Sequence, residues 1–206
     1  MANQDFWESR YAEPGFAYGA EPNQWVVACE PRLPQAARVL LPGDGEGRNS
    51  VYLAKQGHRV TSLDMAAAGL HKAAVLAHDA GVNLDLVQAD LANWRPEPAV
   101  YDAVVLVFLH LPPAIRQRVH SAMVDALRPG GCLVLEGFDR AQLGLPSGGP
   151  RDPDWLFDPE MLRLDFRGLE AEVLGQAAVE LDEGPFHQGI ARVVRGFWRK
   201  PIGAGG

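Results

Sequence analysis

Five short apolar runs alternate with segments of helical spacing over the first two-thirds of the chain, and this rhythm limits the fold more than any other feature. The runs are RVLLP (38–42), HRVTSLD (58–64), NLDLVQA (83–89), AVVLVFL (103–109) and CLVLEGF (132–138). Near-continuous aliphatic and β-branched stretches of this length mark strands buried on both faces, where no side is left for polar residues. Between them, RNSVYLAKQG sets Val51, Leu53 and Ala54 around one turn and stops at Gly57. AGLHKAAVLAHDAG repeats Leu70, Ala73, Ala74 and Ala77 at intervals of three and four, then stops at Gly81. PPAIRQRVHSAMVDALRPGG opens on prolines and closes on Arg-Pro-Gly-Gly. Such alternation implies right-handed crossovers and a mostly parallel sheet.

The last quarter changes period. GLEAEVLGQAAVELDEG and HQGIARVVRGFWRK are two strand-like runs separated by a short Gly/Pro turn, with no room for a helix between them. They form a hairpin, hence an antiparallel edge on the sheet. The expected fold class is therefore α/β: a doubly wound, Rossmann-like sheet of seven strands, mostly parallel, with a C-terminal antiparallel hairpin. A single domain, 1–206, accommodates it. Residues 1–35 make an N-terminal arm and helix, 36–138 the cofactor-binding core, 139–158 a Gly/Pro-rich loop or lid, and 159–206 the C-terminal helix and hairpin.

A net charge of −7 argues against nucleic acid or an anionic membrane as the main partner. No apolar run approaches the ~20 residues that span a bilayer, and MANQDFWESR lacks the apolar core of a signal peptide. Of the two cysteines, Cys132 lies in a strand run, as a buried, reduced thiol. The expected setting is cytoplasmic.

Glycine loses the most freedom when ordered, so three glycines within VLLPGDGEGRNSVYLA need a reason. This stretch leaves the first strand and enters the first helix, the place where open α/β sheets bind ligands. Gly43, Gly45 and Gly47 admit a ligand close to the backbone, and the helix start offers free N–H groups. Asp64 ends the second strand, where a carboxylate accepts from both hydroxyls of a ribose. Asp90 follows the third strand, where one accepts from an adenine amino group. A ligand with an adenosine half touches these three places in turn. The spacing is G-x-G-x-G rather than the dinucleotide G-x-G-x-x-G, so nothing calls for a pyrophosphate.

The order GDGEGRN, VTSLD, ADL, YDAVVLVFLHLP, LRPGGCLVLEGF and closing hairpin resembles the class I S-adenosylmethionine-dependent methyltransferases. GEGRNSVYLAKQGHRVT and DEGPFHQGIARVVR resemble the bacterial tellurite-resistance and thiol-methyltransferase-like branch. The resemblance implies S-adenosylmethionine as cofactor, with Gly43, Asp44, Gly45 and Gly47 around its methionyl part and Asn49 at the helix start. It further implies Asp64 on the ribose, Met65 on the adenine face, Asp90 and Leu91 at the adenine edge, and Val107 beneath the sulfonium. Arg10 and Tyr18 reach in from the arm. One position departs from the pattern that the resemblance implies: Leu41 stands where the class usually carries an acid, so the methionyl amino group must find another acceptor, such as a backbone carbonyl.

Displacement at a sulfonium already has a good leaving group, and alignment with exclusion of water is the main requirement. A thiolate or a tellurium or selenium oxyanion needs little base, whereas a hydroxyl, nitrogen or carbon nucleophile needs one. His110 follows the fourth strand near the expected methyl position. His187 lies at the hairpin turn, with Arg192 and Arg195 beyond it. Period-two alternation puts His187 and Arg195 on one face, and brings Arg192 there only if Gly189 makes a bulge. The resemblance favours His187 with Arg192. His110, His187 and Arg192 are thus the candidate catalytic residues, forming a cationic pocket for a small soft or anionic acceptor. No Cys/His cluster has zinc spacing. His71, His78 and His120 are expected on exposed helical faces, and RDPDWLFDPE as a turn and helix cap. Two other readings compete: a non-catalytic S-adenosylmethionine-binding module, and an NAD(P)-dependent oxidoreductase.

Overall fold

The computed structural model describes residues 4–203. Its sheet has seven strands: β1 (Arg38–Pro42), β2 (Arg59–Asp64), β3 (Asp85–Gln88), β4 (Tyr101–Val107), β5 (Leu127–Phe138), β6 (Glu170–Asp182) and β7 (Gln188–Arg199), in the order β3-β2-β1-β4-β5-β7-β6. The first five pair in parallel; β7 runs antiparallel to both β5 and β6. Among the described residues six α-helices complete it: α1 (Gln4–Ala12), α2 (Gln24–Cys29), α3 (Arg48–Lys55), α4 (Ala67–Asp79), α5 (Pro113–Ala126) and α6 (Pro159–Asp165).

Both faces of the parallel sheet are covered, as the aliphatic runs require. One face buries Leu40, Val104, Leu106, Leu133 and Leu135 with Met123 of α5 and Leu162 of α6. The other buries Val39, Leu41, Val105 and Val134 with Val26 of α2 and Leu53 of α3. Leu41, where the resemblance leads one to expect an acid, is thus core. Helix α5 ends at Ala126, earlier than its spacing suggests. Pro129 disfavours helix in the residue before it, and Leu127 instead pairs with Tyr101 of β4.

The order β3-β2-β1 puts the turns after these strands side by side at the carboxyl edge of the sheet. Because β7 is antiparallel, the β6–β7 hairpin tip reaches the same edge. The loop 139–158 is fastened there at both ends. Asp139 bridges Phe157, Gln142 and Ser147 are buried, and the Ser147 hydroxyl donates to the Ile190 carbonyl at 2.7 Å. Asp152 and Asp158 accept from the N–H groups of Asp154 and Met161, the turn and helix cap expected of RDPDWLFDPE.

Candidate active site

At the end of β1 the chain turns through Gly43, Gly45 and Gly47, all in the left-handed region (φ +68°, +64°, +87°) that other residues enter at a cost. The N–H groups of Gly43 and Asp44 donate to the Leu63 carbonyl at 2.7 and 3.1 Å, which ties the turn to the end of β2. There Asp64 is buried. Its two carboxylate oxygens accept from the N–H groups of Gly45 and Ala66, each at 2.9 Å, and among the described residues no cation pairs with it. Burial without a counter-charge pushes its pKa up to about 6, against the pull of those N–H donors. Beside it, Asp44 accepts from the Ser62 hydroxyl at 2.7 Å while its other oxygen is buried without a partner. Ala89 donates to the Asp64 carbonyl at 3.0 Å, so Asp90 is a neighbour of Asp64. Asp90 is exposed and bends onto the N–H of Ala92. Leu91 sends its side chain into the core, leaving only its backbone for a ligand. Met65 and Val107 are half-buried.

A buried carboxylate lacking a cation, beside a glycine turn at a helix start, fits the diol and polar groups of an adenosyl donor. The N-terminal arm closes over this turn. Tyr11 of α1 sets its hydroxyl where a Cβ on Gly45 would lie 2.6 Å away, and Glu46 accepts from Lys72 and from the N–H of Ala17, both at 2.8 Å. Arg10 donates to the Tyr18 hydroxyl at 3.0 Å and stacks on Phe6 and Phe186, 4.7 and 3.9 Å from their ring centres.

Asn49, at the start of α3, accepts the N–H of Asn23 at 2.9 Å and so fastens the arm to the helix. The Asn23 amide donates to Glu136 at 2.6 Å and to Glu183 at 3.0 Å. Glu183 also receives Arg48 at 2.8 Å and His187 Nδ1 at 3.4 Å. Burial tends to raise the Glu183 pKa, but the bonds from His187 and Arg48 outweigh it and hold the carboxyl down to about 2. Burial lowers the His187 pKa, and Glu183 resists. Three rings surround that imidazole: Tyr18 at 4.5 Å, Phe108 at 4.6 Å and Phe138 at 5.2 Å between centres. Phe108 is held at φ +50°, a strain of about 1–3 kcal/mol for such a residue, which turns its ring onto His187.

The cationic pocket expected from sequence does not form. Pairing of β6 with β7 runs unbroken from Asp182/Gln188 to Val173/Phe197, with no bulge at Gly189. Arg192 therefore lies on the face opposite His187 and is exposed; Arg195 shares the His187 side, but Glu136 binds its guanidinium. His110 is occupied as well. Its Nδ1 faces the Trp155 carbonyl at 2.8 Å and its Nε2 accepts from the N–H of Phe138 at 3.0 Å. Both ring nitrogens serve the backbone, joining the loop to β5. His120, expected on an exposed face, is fully buried against Asp165 (2.8 Å), which also takes Arg116 at 2.9 Å. The helical spacing was right, but α6 covers that face.

His110 carries a testable consequence. Burial lowers its pKa from 6.5 to about 4, so the folded chain resists a proton the unfolded chain accepts. Stability is present at neutral pH and drains away as pH falls from about 6.5 towards 4, by about 3 kcal/mol at roughly 1.4 kcal/mol per pH unit. Urea unfolding across that range measures it, and His110→Gln should flatten the slope.

Residues 39–131 match the model of the methyltransferase domain family. This stretch, less than half of the chain, is similar to a methyltransferase domain. Over 172 aligned positions the chain is 28% identical to the tRNA 5-carboxymethoxyuridine methyltransferase of Escherichia coli K12, an alignment that takes in 72% of this chain and spans only 64% of that relative's length. Over 208 positions it is 27% identical to the thiopurine S-methyltransferase of Azotobacter vinelandii, covering 82% of this chain and 92% of that one. TehB from Haemophilus influenzae shares its fold, with a TM-score of 0.71 at 19% identity over 96% of this chain and 66% of that one. Among the described residues no helix is long and apolar enough to cross a membrane, and no group of His, Cys, Asp and Glu is set to hold a metal.

Arg48, Asn23, Glu136, Glu183 and Tyr11 were not singled out from sequence. Glu183 was within reach, because it stands four residues before His187 across a Gly-Pro turn. The others are brought together by the arm's long-range path.

Proposed function

We propose that the chain is a class I S-adenosylmethionine-dependent methyltransferase that acts on a small molecule, held between the glycine turn and His187, rather than on a nucleic acid. One observation carries the reading: Glu183 is bonded at once to Arg48 beside the glycine turn, to Asn23 of the arm and to His187 at the hairpin. A single buried carboxylate thus links the donor side, the cover and the candidate acceptor side. In this reading Gly43, Asp44, Gly45 and Gly47 surround the methionyl part, with Asn49 behind them. Asp64 takes the ribose diol, Met65 the adenine face and Asp90 with the Leu91 backbone the adenine edge; Val107 lies beneath the sulfonium. When bound, S-adenosylmethionine supplies a methyl group on a sulfonium, a carbon with an activated leaving group. The chain's own work is to orient the acceptor and exclude water, which Tyr11, Tyr18 and Arg10 do from the arm.

The arm's fold over this edge and the net charge of −7 favour a compact acceptor over RNA. The similar thiopurine enzyme supports a small heterocyclic or thiol acceptor more than an oxyanion, since the arginines near His187 are already paired. Calorimetry should show S-adenosylhomocysteine binding with no response to NAD. Labelled methyl from S-adenosylmethionine should then pass to members of a small thiol and hydroxyl panel and not to total tRNA. Binding without transfer to any acceptor would favour the non-catalytic module instead.

A further inference from the structure

Resting on methyl transfer at this site, we infer that the acceptor is an uncharged aromatic or heteroaromatic molecule carrying its nucleophile as an S–H, O–H or N–H, that His187 Nε2 takes that proton, and that Glu183 is the positioning residue. With Nδ1 turned to Glu183, the other ring nitrogen has no hydrogen-bond partner among the described residues. A histidine oriented by a carboxylate through one nitrogen and free at the other is the arrangement of a general base. Burial keeps the imidazole neutral near pH 7, which leaves the lone pair on Nε2.

The surroundings of this nitrogen specify the partner. Tyr18, Phe108 and Phe138 pack around the imidazole, their ring centres 4.5, 4.6 and 5.2 Å from its own, an aromatic surface that an aromatic acceptor would extend. At the hairpin tip Phe186 and Ile190 are exposed and give the rim an apolar character. Of the neighbouring cations, Arg48 is paired with Glu183 and Arg195 with Glu136, while Arg10 bonds the Tyr18 hydroxyl and stacks on two rings. An oxyanion would enter a site where the guanidinium groups of Arg48 and Arg195 are already bound by carboxylates, so an anionic acceptor is the poorer fit. The step balances. The proton goes from the acceptor's heteroatom to Nε2. The pair it leaves forms the bond to the methyl carbon, and the pair of the broken carbon–sulfur bond stays on the donor's sulfur. His187 then returns the proton to water.

The test compares 4-hydroxyquinoline and 2-mercaptobenzimidazole with 2-mercaptoethanol, tellurite and selenite, using labelled methyl transfer and calorimetry on the S-adenosylhomocysteine complex. The aromatic pair should bind that complex and be methylated fastest. His187→Gln should lower kcat at pH 7 by about 10²–10³-fold with S-adenosylhomocysteine affinity kept, the range general base catalysis spans. Phe108→Ala should raise KM for the aromatic pair about tenfold and leave that for 2-mercaptoethanol unchanged. The charged and titratable groups facing His187 are Glu183, Arg48, Arg10, Tyr18 and His110. Removing the Glu183 charge with Glu183→Gln should move the acid limb of kcat to lower pH, which a purely structural role would not do. Faster transfer to the oxyanions or the aliphatic thiol, or no aromatic binding to the complex, overturns the inference. Failure to bind S-adenosylhomocysteine at all overturns the methyl-transfer reading beneath it.

Discussion

Asp64→Ala is expected to weaken S-adenosylhomocysteine binding by about 10²–10⁴-fold. A buried carboxylate that accepts two ribose hydroxyls supplies hydrogen bonds of about 1.5–3 kcal/mol each, because one partner is charged. The same substitution orphans the N–H groups of Gly45 and Ala66, so part of the loss will come from loosening of the glycine turn. The pH dependence separates the two effects. In the free protein burial pushes the Asp64 pKa up to about 6, and a bound diol favours the anion and lowers it. Binding therefore expels a proton at low pH, and affinity falls as pH drops through about 6, by about tenfold between pH 8 and pH 5. Calorimetry in buffers of different ionisation enthalpy reads the proton directly. An affinity flat over that range, with Asp64→Ala within twofold of the parent, would remove the acid from the donor site.

The raised pKa also means that Asp64 costs the free fold stability. The folded carboxyl binds its proton more readily than the unfolded one, so its contribution is present at low pH and lost as pH rises through about 6. A charge kept at such a cost is consistent with a ligand that relieves it.

How far the sequence predicts all this depends on the range of the interaction. The five aliphatic runs and their intervening helices follow from burial of strands on both faces, and the glycine turn with Asp64 and Asp90 follows from adjacent parallel strands. These are local patterns repeated along the chain. Arg192 against Arg195 was a question of parity, settled by whether a bulge interrupts the β6–β7 pairing at Gly189; a glycine permits a bulge without requiring one. His110 and His120 were misleading for another reason. Each sits where its local sequence suggests solvent, but segments 45 residues further on, at Trp155 and Asp165, cover them. Glu183, Asn23 and Glu136 span 113 to 160 residues of sequence in a single cluster, and no period in a sequence encodes such a meeting.

That cluster is the site of the largest expected loss of stability. Glu136 is 1% exposed and receives both the Arg195 guanidinium and the Asn23 amide. Glu136→Ala leaves a half-buried guanidinium without its anion and an amide without one acceptor, a change that costs about 3–5 kcal/mol in such settings. At roughly 2–4 °C per kcal/mol for a chain of this size, the midpoint should fall by about 10 °C. Asn23 also caps α2 through the N–H groups of Trp25 and Val26 and fastens the arm to Asn49, so the arm should loosen and donor affinity fall with it. The double variant Glu136→Leu with Arg195→Leu tests whether the charge pair itself stabilises. Apolar side chains of similar volume often replace a buried pair at no net cost, because the desolvation of both charges is recovered. The double variant should therefore melt near the parent, with a coupling above about 1 kcal/mol between the two sites. Its Asn23 keeps Glu183 as acceptor, so donor affinity should return with stability. A drop under about 1 kcal/mol for Glu136→Ala alone would mean that the arm is held by its aromatic contacts, Trp7 and Tyr11 stacked at 5.6 Å among them, rather than by this buried network.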